Sequence, residues 1–171
     1  MKKFYYLMIS FCIFGFVNVF SAGGYHHHAA VFLGATTGTY TEGHTSLTTG
    51  LEYEYILSEL TPKMGIGFIG EMVFAEHTET VLALPVIVHP FHDLKLFVAP
   101  ALIMFSEDVP GQKDPFGNEV VTTESSNEWF VRIGGGWDFH FDQFSVSPLV
   151  SADLIAGKLY LVYGVSFGIG F

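Results

Sequence analysis

Glu52, Glu54, Glu71, Lys95, Arg132 and Asp138 are the residues whose chemistry most needs a setting. Each stands in the small-residue row of a segment whose alternate row is bulky and apolar, so all six share one side of whatever those segments build. If that side is enclosed, Lys95 and Arg132 can pair with the carboxylates, close hydrogen-bonded geometry offsetting the lost hydration. Two bases against four acids leave carboxylate in excess, to be met by water, a retained proton or a bound cation. Two roles are open to such a network. One is structural, an ion-pair plug in an interior too narrow to conduct. The other is a gated ion path in which Arg132 exchanges glutamate partners.

The histidines form a second group. His26, His27 and His28 stand together, and His89, His92 and His140 lie at or beside expected turns at the same rim. Imidazole suits zinc, copper or nickel, but a metal site needs a fixed ligand number and geometry. Without ordered ligand spacing, terminal and turn histidines need no metal, and no cofactor is expected. Ser145, Ser147 and Ser151 have no base beside them in sequence. His140 is the nearest, and it lies across a turn from Ser145, so no activated nucleophile emerges and catalysis is not expected.

The elements that must position these residues are clearest at 159–171, LYLVYGVSFGIGF. Leu159, Leu161, Tyr163, Val165, Phe167, Ile169 and Phe171 alternate with mostly small residues, among them Gly164, Ser166, Gly168 and Gly170. Period-two alternation is a strand with two unlike faces. A soluble sandwich would set polar side chains opposite the bulky row. Glycine there fits a closed barrel whose bulk faces hydrocarbon and whose small residues leave room in a narrow lumen. Charge then belongs inside, because Arg or Lys facing lipid at the midplane costs about 2–4 kcal/mol.

Eight such segments can be read, at 29–38, 47–57, 63–75, 80–89, 94–105, 127–141, 144–154 and 159–171. The expected fold is all-β, an eight-stranded antiparallel up-and-down transmembrane β-barrel. Connections at 58–62, 90–93 and 142–143 are short, whereas 39–46, 76–79 and 106–126 are longer or more polar, with 106–126 read as the long loop. The turn at 156–158 is short too, so three of four connections follow the asymmetry of an outer-membrane barrel, with longer loops outside, and the even strand count puts both termini on the periplasmic side. Pro85, Pro100 and Pro148 fall inside strands, where each removes a ladder donor, and bulges are expected there.

Lys2 and Lys3, an apolar run at 4–20 and the small residues Ser21 to Gly24 read as a secretory signal peptide at 1–22, cleaved at about 21–24, with the barrel domain at 23–171. Cys12, the one cysteine, lies within it, so the mature chain needs no disulfide. Lys and Arg number 7 against 17 Asp and Glu, a net charge of −10, which excludes nucleic acid as a natural partner. The expected external segments carry Glu42, Glu76, Glu79, Glu107, Asp108, Asp114, Glu119 and Glu124 against Lys113 and Lys158. Such a field repels lipopolysaccharide phosphates unless divalent cations bridge them, and it attracts basic partners.

The terminal aromatic Phe171, with Tyr163, Phe167 and Ile169 at alternating positions before it, resembles the C-terminal signature of bacterial outer-membrane β-barrels. The mature chain as a whole resembles the small barrels of the OmpA-transmembrane-domain and OmpX-like type. The resemblance implies that these four residues are an assembly signal read by the barrel-assembly machinery, with periplasmic chaperones on the way. It also implies a monomer in the outer membrane of a Gram-negative bacterium, among its lipids and lipopolysaccharide. The function expected is non-enzymatic, structural or surface-interacting. A narrow porin-like channel and a lipid-modifying enzyme are the alternatives.

Overall fold

The computed structural model describes residues 26–38, 44–57, 63–75, 78–91, 93–113 and 119–171, with the backbone alone for 106–113 and 119–124. The expected leader and its cleavage point lie outside these residues. Ten strands make one antiparallel sheet: β1 (His27–Thr37), β2 (Thr45–Leu57), β3 (Lys63–Phe74), β4 (Thr78–Ala83), β5 (Val86–His89), β6 (Leu94–Lys113), β7 (Glu119–Trp137), β8 (Phe139–Phe141), β9 (Phe144–Ile155) and β10 (Lys158–Gly170). β10 pairs with both β9 and β1, so the sheet closes on itself. β4 and β5 are halves of one stave, as are β7 and β8, which leaves a closed eight-stranded barrel.

Proline explains both breaks, though not by bulging. The Leu84 N–H donates to the Pro100 carbonyl at 3.1 Å and the Gly67 N–H to the Pro85 carbonyl at 2.9 Å, bonds that a prolyl nitrogen cannot return. Pairing keeps one register across the gap, Ala83 facing Ala101 and Val86 facing Val98. Pro148 lies across from the interruption between β7 and β8, and there too the register holds, Gly136 facing Leu149 and Phe139 facing Val146. The expected bulges at Pro85, Pro100 and Pro148 are therefore absent. A lost donor interrupts the ladder without adding a residue to either side.

The stretch 106–126 is not a loop for most of its length. β6 and β7 go on pairing there as a ribbon, Glu107 facing Glu124 and Asp108 facing Thr123, with a register shift between Pro110 and Lys113. Backbone bonds between two strands already in register need no core to continue, which is why a Gly-, Pro- and acid-rich stretch can still be extended. At the same end, β9 turns into β10 through Ala156 (φ 46°) and Gly157 (φ 79°), the two left-handed residues of a type I′ turn.

Closure is sealed where the start of β1 meets Phe171. The His27 N–H donates to the Phe171 carbonyl at 3.1 Å, and the Phe171 N–H returns the bond at 2.9 Å. The His27 ring stacks on that of Phe171, centroids 5.5 Å apart, and its Nδ1 lies 2.7 Å from the Tyr53 hydroxyl. The His26 carbonyl accepts from the Ile56 N–H at 2.7 Å, so the triple histidine is held by β2 rather than trailing as a mobile start.

Alternation then sorts every stave. Leu51, Ile66, Phe68, Val98, Trp129, Ile133, Trp137 and Phe167 are exposed on the outer wall, with Trp129 74% accessible. The interior holds more than small residues. Phe32, Phe97, Phe130, Ile69, Ile103 and Val162 are buried in it and form one apolar cluster.

Candidate functional site

The interior has two polar layers. In the deeper one, Arg132 on β7 is held by two acids. Its Nε and Nη2 donate to Oδ1 and Oδ2 of Asp153 at 2.6 and 2.8 Å, and its Nη1 donates to Glu71 Oε2 at 2.6 Å. Asp153 faces Arg132 directly in the β7–β9 ladder, so the bidentate pair is set by register. All three side chains are buried, Arg132 to 1% accessibility. The guanidinium carbon lies 6.0 Å from the centre of the Phe130 ring.

The second layer sits nearer the end where His27 pairs with Phe171. Lys95 Nζ lies 3.6 Å from Glu52 Oε2, and the Ser166 hydroxyl donates to Glu52 Oε1 at 2.8 Å. His89 Nε2 meets Glu54 Oε1 at 2.7 Å, and the Ser147 hydroxyl donates to Asp138 Oδ1 at 2.5 Å. His28 Nε2 reaches Ser145 Oγ at 2.8 Å. Three of these contacts cross a whole intervening strand, and in two of them the strand is crossed at a glycine. A Cβ on Gly168 would overlap His28 Nε2, and one on Gly65 would overlap Glu54 Oε1. Between His28, Glu52, Glu54, Lys95 and Phe97 is a gap of about 10 Å³, room for roughly one water.

All six residues singled out from sequence lie on the inner face, but the structure divides them. Lys95, Glu52, Glu54 and Asp138 belong to the outer layer, and Arg132 and Glu71 to the deeper one. The carboxylate excess meets protein donors, since Ser166, Ser147 and His89 contact acids that Lys95 and Arg132 do not fully occupy. Two further acids lie inside the barrel. Glu79, expected in an external loop, is fully buried on β4. Asp153 continues the inward row of Ser145, Ser147 and Ser151 and was readable from it.

Among the described residues the histidines do not gather into a metal patch. His27 and His28 turn to Tyr53 and Ser145, and His89 turns to Glu54. His140 is exposed beside the turn at Asp142, and His92 lies outside the described residues. No group of three or more potential ligands stands ready for a metal ion among the described residues. The expectation that no serine has a base beside it needs correction at Ser145. His28 approaches it from 117 positions away, a contact made only when the barrel closes. Ser145 is buried nonetheless, and the small gap next to His28 leaves a substrate no space.

Tyr163 and Phe167 are exposed on the outer wall, and Ile169 and Phe171 partly so. No protein-family model and no curated protein matches the chain. Solved structures do. The N-terminal β-barrel domain of OprF from Pseudomonas aeruginosa is 14% identical, with 87% of this chain and 100% of that one covered at a TM-score of 0.58. The fold is that of the small eight-stranded outer-membrane barrels. Ail, the attachment invasion locus protein of Yersinia pestis, solved with the heparin analogue sucrose octasulfate, is 13% identical over 85% of this chain and 97% of its own, at a TM-score of 0.53. Both likenesses are of fold.

Proposed function

We propose that this chain is a non-enzymatic, monomeric barrel of the bacterial outer membrane, with a plugged lumen and an external end that meets other surfaces. The observation that carries this reading is the division of the wall. Large apolar side chains face outward on every stave, while Arg132, Glu71 and Asp153 are sealed within. Only a hydrocarbon surround makes that distribution favourable. Tyr163, Phe167, Ile169 and Phe171 then serve as the assembly signal for the barrel-assembly machinery, after delivery by periplasmic chaperones.

A plug has more support than a gated path. Arg132 already bonds both carboxylates, and Phe32, Phe97 and Phe130 are buried in the lumen with it. Planar-bilayer recordings of the parent are expected to show no discrete openings. Steady single-channel events that change in Arg132→Ala would favour the channel instead.

The external end is the working face in this reading. The Ail structure was solved with a polyanion analogue. In this chain the segment 107–124 carries five acids, Glu107, Asp108, Asp114, Glu119 and Glu124, against one base, Lys113. Basic surfaces, or lipopolysaccharide bridged by divalent cations, are the partners such a charge selects. Cells carrying a barrel trimmed of 107–124 should lose adhesion to a polylysine-coated surface while keeping a folded barrel. Undiminished adhesion would remove the ribbon from the account.

A further inference from the structure

The outer wall is not evenly bulky. On β7 the outward row runs Val131, Ile133, Gly135, Trp137, so one position in it has no side chain. Gly135 faces Leu96 on β6 and Val150 on β9, and Val150 in turn faces Tyr163 on β10. Two places along β9 the outward residue is Pro148, opposite the interruption between β7 and β8. Together these leave a groove of about 630 Å³ across four strands, with Gly135 and Pro148 low in it and Leu96, Trp137, Val150 and Tyr163 standing around it. The depression is built in: a Cβ on Gly135 would come within 2.8 Å of both Leu96 Cδ2 and the Lys95 carbonyl oxygen.

We propose that this groove seats one acyl chain of a membrane lipid as a resident ligand. The proposal rests on the outer-membrane reading above, because the groove is continuous with the band that reading turns toward hydrocarbon. Its volume lies within the range of small-molecule sites, and its lining bears no Asp, Glu, Lys, Arg or His. A chain lying on a flat wall touches protein on one side. A chain in this shallow groove touches its floor and the side chains along its rim, and in a bilayer such packing, not escape from water, is what favours association. The aromatic faces of Trp137 and Tyr163 add contact area at little cost in side-chain freedom. Hydrocarbon is the occupant because the site offers a headgroup no charge to pair with.

Native mass spectrometry of full-length protein, reconstituted in palmitoyl-oleoyl phosphatidylethanolamine and exchanged into detergent, tests this. The parent is expected to retain a single lipid. Val150→Phe and Leu96→Phe, which fill the groove from its sides, should each lower the lipid-bound fraction about ten-fold. Val131→Phe, on the same wall outside the groove, should retain lipid as the parent does. Heat-modifiable mobility on gels checks that each variant is folded. Absence of retained lipid in the parent, equal retention in all four proteins, or a disulfide-linked dimer formed by a Val150→Cys variant would each overturn the proposal. Failure of the outer-membrane reading would look different, as a parent that stays in solution without detergent.

Discussion

Arg132 is buried with its whole charge, and its neighbours make that tolerable. Removing it would strand Glu71 and Asp153 in the interior, so Arg132→Met should cost about 3–5 kcal/mol in urea unfolding from lipid vesicles. A loss below about 1 kcal/mol would mean that water reaches these acids. Gly168 offers a second test at this scale. Gly168→Ala should cost about 1–3 kcal/mol by forcing His28 from Ser145, and His28→Ala should relieve most of that in the double variant. Simple additivity would show that the ring does not lie over Gly168. Alternation was enough to read the inward direction of Arg132, Glu71 and Lys95, because a strand has only two faces. It could not show partners. His28 meets Ser145, and Arg132 meets Glu71, through ring closure and register that no local pattern encodes. Glu79 was lost for a simpler reason: three polar neighbours made the start of β4 look like loop.

Strands were legible in proportion to the contrast between their two rows. β10 and β7, with glycine against Phe, Trp and Val, stand out, and β4 with β5 hardly does. The prolines show what composition hides. Pro85, Pro100 and Pro148 each delete one donor, and the barrel carries the gap in unchanged register because pairing continues on both sides of it. The ribbon of β6 and β7 was hidden by its turn-forming residues, which describe local preference and not the partner strand alongside. A turn provides the prediction at this scale. Ala156 holds a left-handed conformation that alanine adopts at a cost of about 1–2 kcal/mol. Ala156→Asn, giving Asn-Gly in the type I′ turn, should raise unfolding stability by about 1 kcal/mol with an unchanged denaturant slope. A destabilised variant would contradict the turn geometry.

For the molecule as a whole, the inward face holds an apolar cluster of its own as well as ions and glycines. Phe32, Phe97 and Phe130 show that a barrel of this strand number fills its interior with whatever fits between the charges. Those aromatics share a row with small residues, so a rule of bulk outward and small inward describes β10 better than β6. The outer wall carries the central claim, that it is solvated by hydrocarbon. The chain has two tryptophans, Trp129 and Trp137, both outward and exposed, so its indole fluorescence reports on that wall alone. The direct measurement is quenching by brominated acyl chains in reconstituted vesicles. Strong quenching of the parent, reduced by at most about half in each single Trp→Phe variant, is the expected result. Emission that bromine leaves untouched, from protein that needs no detergent to stay in solution, would contradict it.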